Sequence, residues 1–74
     1  MTQYYWKKDE RYYKLLFQPT LFGTTDIICV WGRVGGNLGG CKVLSCDTEE
    51  AVEISVNNIR RRRKYRGYNE LGNT

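Results

Sequence analysis

The chain alternates between short apolar or aromatic runs and polar breaks, and only near its end does the apolar spacing become helical. Gln3-Tyr4-Tyr5-Trp6-Lys7 predicts a short first strand, and Lys8-Asp9-Glu10-Arg11 a charged turn. Tyr12 to Gln18 predicts a second strand, stopped by Pro19, which has no N–H to give to a ladder. Thr20 to Thr25 connects it to a third strand running from about Asp26 to Arg33, with Gly23 supplying the bend. The β-branched stretch Asp26-Ile27-Ile28-Cys29-Val30 anchors that third strand. Gly35-Gly36-Asn37-Leu38-Gly39-Gly40 cannot continue a regular element and predicts a loop, with a fourth strand from Cys41 to about Ser45 as the hairpin partner.

Asp47-Thr48-Glu49-Glu50 marks a helix start, with Asp47 as N-cap, Glu50 three residues on, and an acidic first turn that suits the helix dipole. Ala51, Val52, Ser55, Val56 and Ile59 then form an apolar stripe at helical spacing. Val52-Glu53-Ile54-Ser55-Val56 also alternates as a strand would, but the capping signal and the basic ending favour a helix. Gly67 ends it, leaving Asn69 to Thr74 as a loose tail. The expectation is a single α+β domain over residues 1–74: a small antiparallel sheet of three to four strands with one helix packed on a face.

Composition narrows the function. Seventy-four residues lie near the lower limit for a domain held by one core, and the 14% aromatic content helps such a core. No run approaches the roughly 18 apolar residues of a membrane span, and no signal-peptide pattern follows Met1, so a cytoplasmic protein without membrane association is expected. Cys29, Cys41 and Cys46 form no CxxC pair, and the chain has no histidine. The three thiols are therefore read as small buried hydrophobes, with no metal and no cofactor. With no nucleophile–base pair either, the chain is not expected to be an enzyme or to take a small-molecule substrate.

Charge is spread unevenly. Up to Ile59 there are six basic and seven acidic residues, whereas from Arg60 onward there are six basic and one acidic. A helix end needs one or two cations for its dipole, yet Arg60-Arg61-Arg62-Arg63-Lys64-Tyr65-Arg66 supplies six in seven positions. Such density is repulsive unless it meets an anion, which makes Arg61, Arg62, Arg63, Lys64 and Arg66 candidate phosphate contacts.

The second candidate site is Val30-Trp31-Gly32-Arg33-Val34-Gly35-Gly36. Residues two apart on a strand share a face, so Trp31 and Arg33 sit side by side across Gly32. If Ile27, Cys29 and Trp31 faced the core, Arg33 would point inward too, and unpaired arginine is almost never buried. Parity therefore puts Ile28 and Val30 inward and leaves Trp31 with Arg33 at an accessible rim, unless a twist near the strand end intervenes. A ring beside a guanidinium suits a ribose, a base or a phosphate. The glycine run itself fits no phosphate loop. A Walker loop needs lysine and then serine or threonine where Cys41-Lys42-Val43 follows, and a KH-type GXXG loop joins helices rather than strands.

Trp31-Gly32-Arg33 followed by Val34-Gly35 resembles the signature of the WGR domain, best known as the module beside the catalytic region of DNA-damage-responsive poly(ADP-ribose) polymerases. Arg11-Tyr12-Tyr13-Lys14-Leu15, Gln18-Pro19-Thr20-Leu21-Phe22-Gly23, Ala51 and Arg66-Gly67-Tyr68 are similar to the short bacterial members, and the resemblance covers roughly residues 3 to 68. Ser55 departs from it, standing where a larger apolar residue is usual. The resemblance implies a similar α+β fold and a nucleic-acid partner, with DNA favoured over RNA though no residue decides between them. In the polymerases the motif tryptophan and a basic residue of the helix approach the 5′ end of a broken strand, and Arg62 and Arg63 are the positions most similar to that residue. It implies no ADP-ribosyltransferase activity here, because nothing like that domain follows the helix. The motif arginine, which relays DNA binding to neighbouring domains in the polymerases, leaves Arg33 open between nucleic acid, a partner protein and its own fold. The leading expectation is a stand-alone nucleic-acid-binding module for DNA ends or nicks. The alternative is an adaptor for a partner protein, docking through Trp6, Trp31 and the tyrosines.

Overall fold

The computed structural model describes residues 3–36 and 39–73. Its elements are β1 (Tyr4–Lys8), β2 (Arg11–Pro19), β3 (Thr25–Arg33), β4 (Gly39–Cys46), α1 (Glu49–Tyr65) and β5 (Asn69–Asn73). The strands form one antiparallel sheet in the order β4-β3-β2-β1-β5, and the helix crosses one face, so the α+β expectation holds with a fifth strand added.

That fifth strand corrects the reading of a loose tail. Gly67 at φ +86° reverses the chain after α1, and Asn69–Asn73 pairs with the outer edge of β1. The backbone groups of β1 would otherwise line an open edge, and pairing them needs no apolar signal in the sequence. Of the glycine run expected as loop, Gly39 and Gly40 belong to β4, while Asn37 and Leu38 lie outside the described residues, as does Thr74. The helix N-cap is Thr48 rather than Asp47: its side chain accepts a hydrogen bond from the Ala51 N–H at 3.0 Å. Residues 52–56 are helical, and Val56 is buried while Ala51, Val52 and Ile59 pack against the core.

The core lies between α1 and the sheet, and comprises Trp6, Tyr13, Leu15, Phe17, Ile27, Cys29, Cys46 and Val56. Ile27 and Cys29 are fully buried, so β3 has the opposite parity to the one expected, and Ile28 and Val30 sit half-buried on the other face. The parity argument assumed that the whole inner face is covered. It is not, because α1 runs from corner to corner. Its first turns share a depression with Phe17 and Thr25, whereas its end meets β1 and β5, with the Lys8 Nζ donating to the Arg66 carbonyl at 2.8 Å. Trp31 and Arg33 are on the inner face but past the edge of the helix. Cys41 also departs from expectation, being exposed while Cys29 and Cys46 are buried.

Candidate nucleic-acid interface

One cross-strand row sets the floor of the site. Glu70, Trp6, Tyr13, Trp31 and Gly40 are successive register partners from β5 to β4. Trp6 meets Tyr13 edge-on at 6.1 Å, and Tyr13 lies nearly parallel to Trp31 at 6.0 Å and 11°. The far side of the Trp31 indole rests over Gly40, where a Cβ would lie 2.8 Å from Cζ2. Glycine in the facing strand is thus what lets the indole lie down. Trp6 is buried, and Trp31 at the far end of the row remains half-buried.

Above this floor stands Arg63. The apolar stripe of α1 steps through Val52, Val56 and Ile59, and one more turn brings the same face to Arg63. Its side chain is buried at 8% exposure, with Cζ 4.2 Å from the centre of the Tyr13 ring and 5.1 Å from that of Tyr68. Two aromatic faces compensate part of the guanidinium's lost hydration. Its Nε has no hydrogen-bond partner, the only buried side-chain polar atom of this kind among the described residues. A buried unpaired donor is costly, and the two ring faces offset only part of that cost. Burial, followed by the neighbouring Cys29 thiol, pushes the Tyr13 phenol up to about 12, so it stays neutral beneath the cation at physiological pH.

Trp31, Arg33, Arg63 and Arg66 line a single open hollow of about 620 Å³, together with Arg11, Lys42, Tyr13 and Tyr68. A cavity of that size admits a nucleotide-sized group. The other cations are placed elsewhere. Arg61 and Lys64 border a depression on the β5 side of the helix end, with Trp6, Arg60 and Glu70. Arg60 is held there by Glu70, with Nε and Nη2 donating at 3.0 and 3.2 Å. Arg62 faces Lys42 across a smaller depression that adjoins the main hollow. Four of the seven residues singled out from the sequence therefore converge.

Sequence reasoning missed Lys42, Arg11, Tyr13 and Tyr68. For Lys42 the signal was present: alternation along β4 puts Gly40, Lys42, Leu44 and Cys46 on the helix side. Docking through Trp6 is excluded by its 2% exposure.

The chain matches the WGR domain family over residues 2–74. It belongs to the WGR family. No match is found among curated proteins or solved structures. The WGR domain is a binding domain rather than a catalytic one, and it binds nucleic acid in poly(ADP-ribose) polymerase-like proteins. All three residues of the motif Trp31-Gly32-Arg33 line the hollow. No cluster of three or more potential metal ligands occurs among the described residues, nor any helix long and apolar enough to cross a membrane. The chemistry within reach is recognition: a flat apolar ring, a buried fork of N–H donors, and flexible cations around them.

Proposed function

We propose that this WGR domain acts on its own as a nucleic-acid-binding module, seating an exposed DNA strand end, at a break or a nick, in the Trp31–Arg63 hollow. The observation that carries this is the convergence of Arg33, Lys42, Arg63 and Arg66 on one open hollow around a half-exposed tryptophan. The Arg63 guanidinium meets a phosphate and the indole meets the adjoining sugar. Arg33, Lys42 and Arg66 hold the flanking backbone. Ring-to-sugar and cation-to-phosphate contacts are ones that every nucleotide offers, so binding is without sequence preference. DNA is favoured over RNA because the family's polymerases act at DNA breaks.

A ribose inside a duplex has neighbours on both sides along its strand, so an indole lies flat only against one exposed at a terminus. The test is a fluorescence titration of wild type and Trp31→Ala with nicked, blunt-ended and covalently closed circular DNA, with single-stranded DNA and RNA alongside. Trp31→Ala is expected to weaken nicked and end binding about tenfold, equal to about 1.4 kcal/mol, and to leave closed circles nearly unchanged. Equal loss on all substrates would assign Trp31 to general backbone binding. No loss on any would remove it from the interface.

A further inference from the structure

The end of the domain opposite the hollow carries an unexplained feature. Between β2 and β3, Leu21 is 100% and Phe22 91% exposed, side by side on a short loop. The loop is braced rather than slack: the Thr20 and Thr24 hydroxyls lie 2.6 Å apart, and the Thr20 N–H donates to the Thr24 carbonyl at 2.9 Å. Two large apolar side chains held fully in water form a projecting knob. The chain segments at this end are acidic, although Arg60 borders the same depression as Glu49 and Glu53. Segments 17–26 and 43–53 reach this end with Asp26, Asp47, Glu49, Glu50 and Glu53, and contain no lysine or arginine. That excess of carboxylates disfavours an anionic membrane or nucleic acid as the occupant.

We infer that the Leu21–Phe22 knob docks into the basic, aromatic-floored hollow of a second copy of this chain, so that copies associate head to tail. The complement is found on the chain itself: the hollow offers the Tyr13 and Trp31 rings for apolar contact and Arg33, Lys42, Arg63 and Arg66 for the knob's carboxylates. Its volume of about 620 Å³ exceeds that of the Leu21 and Phe22 side chains together. The contact is between molecules, since the six residue steps from Tyr13 to Pro19 along β2 hold knob and hollow apart by roughly 20 Å at about 3.3 Å per residue. It joins unlike surfaces, so copies add head to tail into a ring or an open filament. The contact uses the hollow assigned above to nucleic acid but does not rest on that assignment.

The experiment is sedimentation velocity across a concentration series with no nucleic acid present, so its outcome is separate from the DNA titrations. Wild type is expected to sediment faster as concentration rises, and less so at high salt. Two variants altered only at exposed positions are compared: Leu21→Ser with Phe22→Ser, and Lys42→Glu with Arg66→Glu. Each keeps one of the two surfaces, so each alone is expected to remain monomeric over the range, its self-association weakened roughly tenfold or more. Mixed together they are expected to pair one to one and grow no further, because one knob meets one hollow. A monomeric wild type at every concentration would overturn the inference and leave the knob to a different protein. Self-association of the Lys42→Glu/Arg66→Glu variant would also overturn it, showing knobs pairing with each other. So would a mixture that does not pair.

Discussion

Trp6 and Trp31 stand in the same cross-strand row, on the same face, as the two register neighbours of Tyr13. One is 2% exposed and the other half-buried in an open hollow. Neither strand geometry nor residue type separates them. The path of α1 does: it ends over β1 and β5, covering Trp6, and leaves the β3–β4 corner bare. A buried tryptophan and a ligand-accessible one can thus differ only in which side of a helix end they fall on. Tyr13 joins the two regimes, meeting Trp6 edge-on and Trp31 nearly parallel, with Arg63 over its ring.

The largest effect that tests this contrast is on folding. Trp6→Ala removes a ring at the centre of a small core and should cost about 3–5 kcal/mol, a large share of the stability of a domain this size. Trp31→Ala, already half in water, should cost much less. Thermal melts of the two variants side by side measure the difference, and similar melting points would place both rings in one core. The next largest effect is on binding. Arg63→Met keeps the length and apolar packing of the side chain while removing a buried, incompletely paired cation, a change that is often neutral or stabilising. Its affinity for nicked DNA should fall by roughly ten- to a hundredfold, the equivalent of about 1.5–3 kcal/mol for a charged hydrogen bond. A variant that melts at least as high as wild type yet binds DNA normally would make Arg63 a packing residue.

The contrast also explains what the sequence makes legible. Strand rhythm, the single helix and its apolar stripe are written in local spacing, and the structure bears them out. β5 is not, because Asn69-Glu70-Leu71-Gly72-Asn73 pairs through its backbone and carries almost no apolar pattern. The parity of β3 is misread for a definite reason: an arginine on the inner face is permissible once the helix fails to cover that face's whole length. Trp31 and Arg33 come out as neighbours at an accessible rim all the same, since residues two apart share a face whichever face is inward. The basic run is visible as a run, but its division is not. Helical spacing turns Arg63 and Arg66 toward the hollow and Arg61 and Lys64 away, a difference that composition alone does not show.

The state of Tyr13 gives a smaller effect, confined to alkaline solution. Its phenol titrates at about 12 in the folded chain against 10.0 for the ordinary group, chiefly through burial. Between those values the unfolded chain has released a proton that the folded chain keeps, so unfolding is favoured as pH rises from 10 toward 12. Urea melts across that range should therefore show stability falling with pH. The fall should be shallower in Tyr13→Phe, which keeps the ring beneath Arg63. An equal fall in both would mean that Tyr13 titrates as an exposed tyrosine does, with the Trp6–Tyr13–Trp31 row open to water.

The smallest effect divides the cations on the two sides of the helix end. Lys42 reaches the hollow from β4, whereas Lys64 borders the depression beside Glu70. Both are exposed lysines of equal charge, so substituting either by glutamine lowers the net charge of +4 equally. If affinity followed overall charge alone, Lys42→Gln and Lys64→Gln would weaken DNA binding alike. If Lys42 contacts a phosphate and Lys64 does not, only Lys42→Gln loses a released counterion, and its slope of log affinity against log salt should shrink by about 0.9. Lys64→Gln should keep the wild-type slope and lose at most about twofold in affinity through the weaker long-range field. Titrations at several salt concentrations resolve a slope change of that size. Equal slopes in the two variants would show the whole basic end acting as one diffuse surface, with the hollow offering a shape but no distinct phosphate position at Lys42.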